Sequence, residues 1–221
     1  MNEAAAKAKL YLASKNPGKL REFHLAIKEQ GITVELVPGI QHLPACIEDG
    51  DTFEANARKK ALHYGAFVDG WVFADDSGIC VDALGGAPGV HSARYAGLEA
   101  TDEENNQKLI RELARVSEAA SSPQALHASI GDSDSRRYPA RYVCVIALAE
   151  NQAVRAVTEG QVSGLVINSP RGLAGFGYDP YFFYPPLGRT FAEISAEAKF
   201  AVSHRGVAFR KLLEALASKR I

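Results

Sequence analysis

Phe73-Ala-Asp-Asp-Ser-Gly-Ile-Cys-Val-Asp-Ala-Leu-Gly-Gly-Ala-Pro-Gly-Val-His-Ser-Ala-Arg-Tyr-Ala-Gly97 is the stretch from which the rest of the chain is read. Trp71-Val-Phe-Ala74 leads into it and is apolar and β-prone, which predicts a buried strand. On this reading the strand ends at two adjacent carboxylates, Asp75 and Asp76, followed by Ser77-Gly78. Successive strand side chains point to opposite faces, so one aspartate at most reaches a given site. After a second apolar run (79–81) and Asp82, Gly85, Gly86, Pro88, Gly89 and Gly97 form a segment that lets backbone approach a ligand closely. Carboxylates at a strand end beside such a loop suit a divalent cation and a phosphorylated ligand. An ordinary Asx-capped turn is the competing reading.

Toward the amino terminus, residues 9–14 predict a first strand. Lys15-Asn-Pro-Gly-Lys19 follows, and then Leu20, Phe23, Ala26 and Ile27 recur at helical spacing up to Gly31. Asn16 suits the N-cap, Pro17 the first helical position and Gly31 the stop. A strand, a polar turn and a helix start together make an anion site, with Ser14, Gly18 and free N–H groups near the turn and the ammonium groups of Lys15 and Lys19 beside it. The Walker A spacing is absent. Residues 32–37 predict a second strand. Asp51 with Glu54 three later is a capping-box pattern, so a helix is expected from Thr52 with Phe53, Ala57, Ala61 and Tyr64 on its apolar face. Asn56 and Lys60 border that face, where Lys60 either snorkels or points at a phosphate. Glu48, just ahead of the helix, is placed to supply a second carboxylate to a metal at the aspartate pair.

Toward the carboxyl terminus, Thr101-Asp-Glu-Glu104 is a capping box before a helix with Leu109, Ile110, Leu113 and Val116 on one stripe; no chemistry is assigned to it. Residues 117–137 are Ser/Ala-rich with little periodicity and are expected to be a mobile surface loop within a single domain. Residues 141–149 predict a strand, and 154–162 its hairpin partner across 150–152. In Gly175-Phe-Gly-Tyr-Asp-Pro180 the aromatic rings, exposed backbone and Asp179 suit stacking on and edge-reading of a purine, or else form a bulge feeding a buried strand. Lys199 precedes Ser203-His204-Arg205, a donor cluster at a helix start.

The formal net charge of −1 gives no bulk attraction to nucleic acid or anionic membrane. No apolar run approaches the roughly 20 residues of a membrane span, and the first nine residues lack a signal-peptide core. Cys46, Cys80 and Cys144 are far apart and outside CxxC spacing, which argues for a reducing compartment, the cytoplasm, with Cys80 and Cys144 in the core.

Taken in order and spacing, segments 13–19, 50–57, 74–78, 84–95, 175–180 and 203–206 resemble the inosine/xanthosine triphosphate pyrophosphatases, which remove non-standard purine nucleotides. The resemblance implies an α/β fold, an elongated mixed β-sheet flanked by helices, with two lobes and a central cleft. It implies a homodimer, Mg²⁺ as cofactor, and hydrolysis of ITP, dITP or XTP to monophosphate and pyrophosphate. Carried over by position, Ser14, Asn16, Lys19 and Lys60 hold the triphosphate. Glu48 and Asp76 bind Mg²⁺, and Asp76 is also the base for the attacking water. Ser77, Phe176, Gly177, Tyr178, Asp179, Lys199, His204 and Arg205 line the nucleotide pocket, His204 and Arg205 aiming donors at a 6-oxo group. Another nucleotide hydrolase and a non-catalytic nucleotide-binding module are the competing classes.

Overall fold

Short apolar strands alternating with helices build the amino-terminal part of the sheet in parallel. β1 (Ala8–Leu12) pairs in parallel with β2 (Ile32–Leu36) and with β3 (Trp71–Val81), setting Leu12 opposite Leu36 on one side and Phe73 on the other. The crossovers contain α1 (Pro17–Ala26) and α2 (Phe53–Gly65), as parallel pairing requires. The chain continues through α3 (Asp102–Ala120), β4 (Arg137–Glu150), β5 (Ala153–Ile167), β6 (Phe182–Tyr184), β7 (Arg189–Thr190), α4 (Ala196–Val202) and α5 (His204–Ala217). The seven strands form one mixed sheet in the order β2-β1-β3-β4-β5-β6-β7, with helices flanking it. This computed structural model describes residues 8–26, 32–120 and 137–218; the expected helix stop at Gly31 lies outside them.

Two compact units make up the chain. The first comprises the residues up to Asp76, Cys144–Gln161 and those from Phe200 onward; the second comprises Ser77–Val143 and Val162–Lys199. In the first unit the period-two alternation of β3 decides where each side chain goes. Phe73 joins the cluster of Leu10, Leu12, Phe23, Ile146 and Phe209, while Val72 and Ala74 join Ala13, Ala57, Ala61 and Val145. The rings of Phe23, Phe73 and Phe209 lie 4.9–5.5 Å apart, so α1 and α5 cover one face of the strand. Ala57, Ala61 and Tyr64 of α2 cover the other. Gly160 of β5 lets α5 approach: a Cβ there would fall on the His204 carbonyl oxygen and the Ala208 amide nitrogen. Gly160→Ala is therefore expected to lower stability by about 1–3 kcal/mol through overpacking against backbone, read as a fall in the urea midpoint. In the second unit Tyr142, Phe182, Tyr184 and Phe191 pack ring against ring, and Leu109 and Leu113 of α3 are buried.

Several boundaries differ from the sequence reading. β3 does not end at the aspartates but runs unbroken through Asp75-Asp76-Ser77-Gly78 to Val81. Gly78 serves close approach inside the strand, not a turn: a Cβ would meet the Gly89 carbonyl and the Ser92 hydroxyl, which accepts from the Ile79 N–H at 3.0 Å. Residue 52 is the N-cap of α2, the Thr52 hydroxyl accepting from the Ala55 N–H in place of the expected Asp51–Glu54 box. Of the expected loop 117–137, residues 117–120 form the last turn of α3 and Arg137 opens β4; the rest lies outside the described residues. The hairpin from β4 to β5 turns at Asn151-Gln152, both at positive φ (49° and 60°), as a primed two-residue turn requires. No described helix is long and apolar enough to cross a membrane.

Candidate active site

In the first unit, Asp75 and Asp76 leave β3 on opposite faces and meet different neighbours, as the pleat dictates. Asp75, 1% exposed, points to the α1/α5 side, its Oδ2 2.9 Å from Lys19 Nζ and 3.3 Å from Arg205 Nε. Asp76, 8% exposed, points to the α2 side, its Oδ2 accepting from Asn56 Nδ2 at 3.2 Å and its Oδ1 3.6 Å from Lys60 Nζ. Both lysines also reach the backbone carbonyl of Asp75, Lys60 at 3.0 Å and Lys19 at 3.4 Å. Two ammonium groups from two helices thus converge on one peptide of β3, with a carboxylate to either side of it.

The helices place these groups by simple spacing. Lys19, Glu22 and Phe23 share a face of α1 at i, i+3 and i+4. Asn56 and Lys60, four apart on α2, are buried outright where the sequence placed them on a border, because each finds polar partners there. Asn56 is fully committed: its Oδ1 accepts from the Gly50 N–H at 2.8 Å, while its Nδ2 donates to Gly50 O at 3.3 Å and to Asp76. Gly50 permits this contact, since a Cβ would crowd Ala55 and Asn56 Oδ1. Asn56 so ties the 48–50 segment to Asp76 and brings Glu48 Oε2 to 2.7 Å from Lys60 Nζ.

The turn 14–19 behaves differently from expectation. Asn16 caps α1 as foreseen, its Oδ1 accepting from the N–H groups of Gly18 (2.7 Å) and Lys19 (3.2 Å), while its own N–H donates to Ser14 Oγ at 3.2 Å. Pro17 has no N–H and the Leu20 N–H goes to the Asn16 carbonyl, so the first turn keeps no free donor for an anion. Lys15 donates to the Leu43 carbonyl at 3.2 Å and Lys19 alone of the pair joins the aspartates. His204 and Arg205, expected as base-reading donors, are both buried at the start of α5, where Ser203 Oγ caps the helix by accepting from the Gly206 N–H. Arg205 spends its Nε on Asp75 and its Nη1 on Glu22. Glu22 had no place in the sequence reading; its position three residues after Lys19, beside Phe23, was the available signal.

The electrostatics set the two aspartates apart. Burial opposes ionisation of Asp75, but Lys19, Arg205 and Lys60 hold its carboxyl well below the usual carboxylate range. Burial pushes Asp76 above that range, a direction that Glu48 reinforces and that Lys60, Lys19 and Asn56 oppose. Burial would lower Lys60, yet Asp76, Glu48 and Asp75 together raise it, so its ammonium is firmly charged. A neighbouring pair whose environments diverge in this way separates a permanently charged anchor from a proton acceptor.

The second unit carries the other expected group. Asp179 is buried in an ion pair with Lys199 and accepts from the Phe176 N–H at 3.0 Å. Lys199 Nζ lies 4.6 Å from the centroid of the partly buried Phe176 ring. A side chain on Gly175 would fall on Asp179 Oδ2, which explains the first glycine of this turn. Tyr178 is buried, its hydroxyl donating to the Ser92 carbonyl at 2.8 Å. Ser77 is partly buried within β3.

Among the described residues no group of three or more His, Cys, Asp or Glu is arranged to hold a metal. The first-unit group nevertheless suits one hard cation shared with a ligand. Four carboxylates (Glu22, Glu48, Asp75, Asp76) stand against three cations (Lys19, Lys60, Arg205), so a polyphosphate entering there needs further positive charge. Glu48 and Asp76, both within reach of one ammonium, are oxygen donors of the kind Mg²⁺ uses when phosphates complete its shell.

The sequence profile of the Ham1 family matches residues 10–215. The dITP/XTP pyrophosphatase of Shouchella clausii (strain KSM-K16) is 42% identical over 207 residues, covering 94% of this chain and 96% of that protein. That of Yersinia pseudotuberculosis serotype I (strain IP32953) is 40% identical over 212 residues, covering 94% and 98%. Among solved structures, a HAM1 protein from Coxiella burnetii superposes with a TM-score of 0.77 at 37% identity, covering 96% of this chain and 99% of that one.

Proposed function

The chain belongs to the Ham1 family, and from that premise we propose that it hydrolyses non-standard purine nucleoside triphosphates (ITP, dITP, XTP) to the monophosphate and pyrophosphate. The observation that carries this reading is the convergence of Lys19 and Lys60 on one peptide of β3, with Asp76 and Glu48 at its edge.

The two ammonium groups hold and neutralise phosphate oxygens. Glu48 and Asp76 would hold Mg²⁺, which when bound supplies charge neutralisation at the phosphates. Asp76 orients the attacking water and takes its proton on Oδ1, the oxygen that Asn56 leaves open. The water oxygen bonds to the α-phosphorus as the bond to the bridging oxygen breaks, and pyrophosphate leaves with the bridging oxygen. Asp75 fixes Lys19 through its carboxylate, which the surrounding cations keep ionised. The turn 176–179 is assigned to the base, with the Phe176 ring as its stacking surface. Three free thiols, two of them buried, support the cytoplasmic setting. The homodimer is retained from the family resemblance, and sedimentation of the intact chain checks it.

A nucleotide panel with Mg²⁺, scored separately for pyrophosphate and orthophosphate, tests the reading. ITP, dITP and XTP are expected to yield pyrophosphate. ATP is expected to be slower by about 10–100-fold, because a site selective for a 6-oxo purine donates to that oxygen and a 6-amino group cannot accept the bond. Orthophosphate as the first product overturns the assignment of attack to the α-phosphorus.

A further inference from the structure

Helix α3, to which the sequence assigned no chemistry, carries two adjacent buried asparagines, Asn105 and Asn106. Asn105 is spent on the preceding segment: its Oδ1 accepts from the Ala96 N–H at 2.8 Å and its Nδ2 donates to the Ala93 carbonyl at 3.3 Å. Asn106 lies on the same stripe as Leu109 and Leu113 and is only 4% exposed. Its Nδ2 donates to the Gly177 carbonyl at 3.0 Å, and its buried Oδ1 has no hydrogen-bond partner among the described residues. The other backbone group of Gly177 is taken as well, its N–H donating to Asp102 Oδ2 at 2.6 Å. Residues four apart on one helix thus grip both sides of a single glycine.

Neither residue is needed to make the helix. Thr101 and Glu104 cap α3 reciprocally, the Thr101 N–H donating to Glu104 Oε2 at 2.7 Å and the Glu104 N–H to Thr101 Oγ1 at 3.2 Å. At position 106 a leucine would continue the apolar stripe and remove an unpaired buried acceptor. What the asparagine does provide is a grip on the residue after Phe176. Gly177 is held at φ +62°, in the left-handed region, and the next residue, Tyr178, is pinned through its hydroxyl to Ser92. The turn is therefore fixed from α3 on one side of Phe176 and from the Asp179–Lys199 pair on the other.

We propose that Asp102 and Asn106 are positioning residues for nucleotide selectivity, fixing the Gly177 peptide and so the angle at which the Phe176 ring meets a purine base. This rests on the assignment of the 176–179 turn to the base. Asn106→Leu is expected to raise KM for ITP about tenfold, with kcat changed by less than about twofold, and to reduce the ITP-over-ATP preference in kcat/KM by about tenfold. A merely structural role would instead lower the thermal midpoint and the active fraction, leaving KM and the preference alone. Asp102→Ala, on an exposed side chain outside the cap, serves if Asn106→Leu fails to fold, and is expected to move KM in the same direction. Single variants that both keep KM and the preference within about twofold, alongside a Phe176→Ala that raises KM, overturn the proposal while leaving the base assignment standing. A Phe176→Ala without effect overturns the base assignment itself, and the proposal with it.

Discussion

Asp76→Asn is expected to cut kcat for ITP by about 10³-fold while leaving the fold intact. The substitution keeps the shape of the side chain and a group that accepts from Asn56, and Lys60 keeps its 2.7 Å partner in Glu48. What is lost is the proton acceptor and an anionic oxygen. Because burial already disfavours the ionised form of Asp76, removing its charge is expected to leave the thermal midpoint unchanged or slightly higher. Glu48→Gln, on a more exposed group, is expected to act mainly by raising the Mg²⁺ concentration needed for half-maximal rate. Steady-state rates across a Mg²⁺ titration, with thermal melts of each variant, separate these effects. Near-normal turnover of a folded Asp76→Asn removes this residue from the chemistry.

What the sequence disclosed and what it hid follow one line, the range of the interaction concerned. Asn16 at its cap, Thr101 with Glu104 and the turn at Asn151-Gln152 are local arrangements whose partners lie within a few residues, and each is found where it was expected. The unbroken course of β3 was illegible because Asp-Asp-Ser-Gly is turn chemistry by local preference. It stays extended because partners remote in sequence satisfy it, Lys19 and Arg205 for Asp75, Asn56 and Lys60 for Asp76. Lys15 and Lys19 looked equivalent as charges in one turn; only the course of the 40s segment, with its Leu43 carbonyl, draws Lys15 away. The expected free N–H groups at α1 failed for a reason present in the residues, since a good N-cap consumes the donors that an anion would use. Asn106 escaped notice because an amide on an apolar stripe reveals its purpose only once Gly177, far along the chain, is seen beside it.

Arg205 separates the buried-network reading from the sequence reading most sharply. In Arg205→Met the side chain keeps much of its apolar length but the guanidinium is gone, and both Glu22 and Asp75 lose it as a partner. Removing one member of a buried ion group strands charge in a medium that cannot solvate it, at a cost of about 3–5 kcal/mol. For a chain of this size that is a fall in thermal midpoint of about 6–20 °C. Asp75 retains Lys19 at 2.9 Å, and Glu22 loses the guanidinium that faces it. The double variant Glu22→Gln with Arg205→Met is accordingly expected to recover a large part of the stability that the single variant loses, a coupling that additive effects cannot produce. Because the network ties α1 and α5 to the strand that carries Asp76, the single variant is also expected to lose activity on both ITP and ATP, with their ratio little changed. If Arg205→Met instead melts within about 2 °C of the parent and loses its preference for ITP, the arginine reads the base and the ion network is incidental. The two outcomes part because a buried cation can hold its own protein's carboxylates or a ligand's carbonyl, and the guanidinium here faces Glu22 and Asp75.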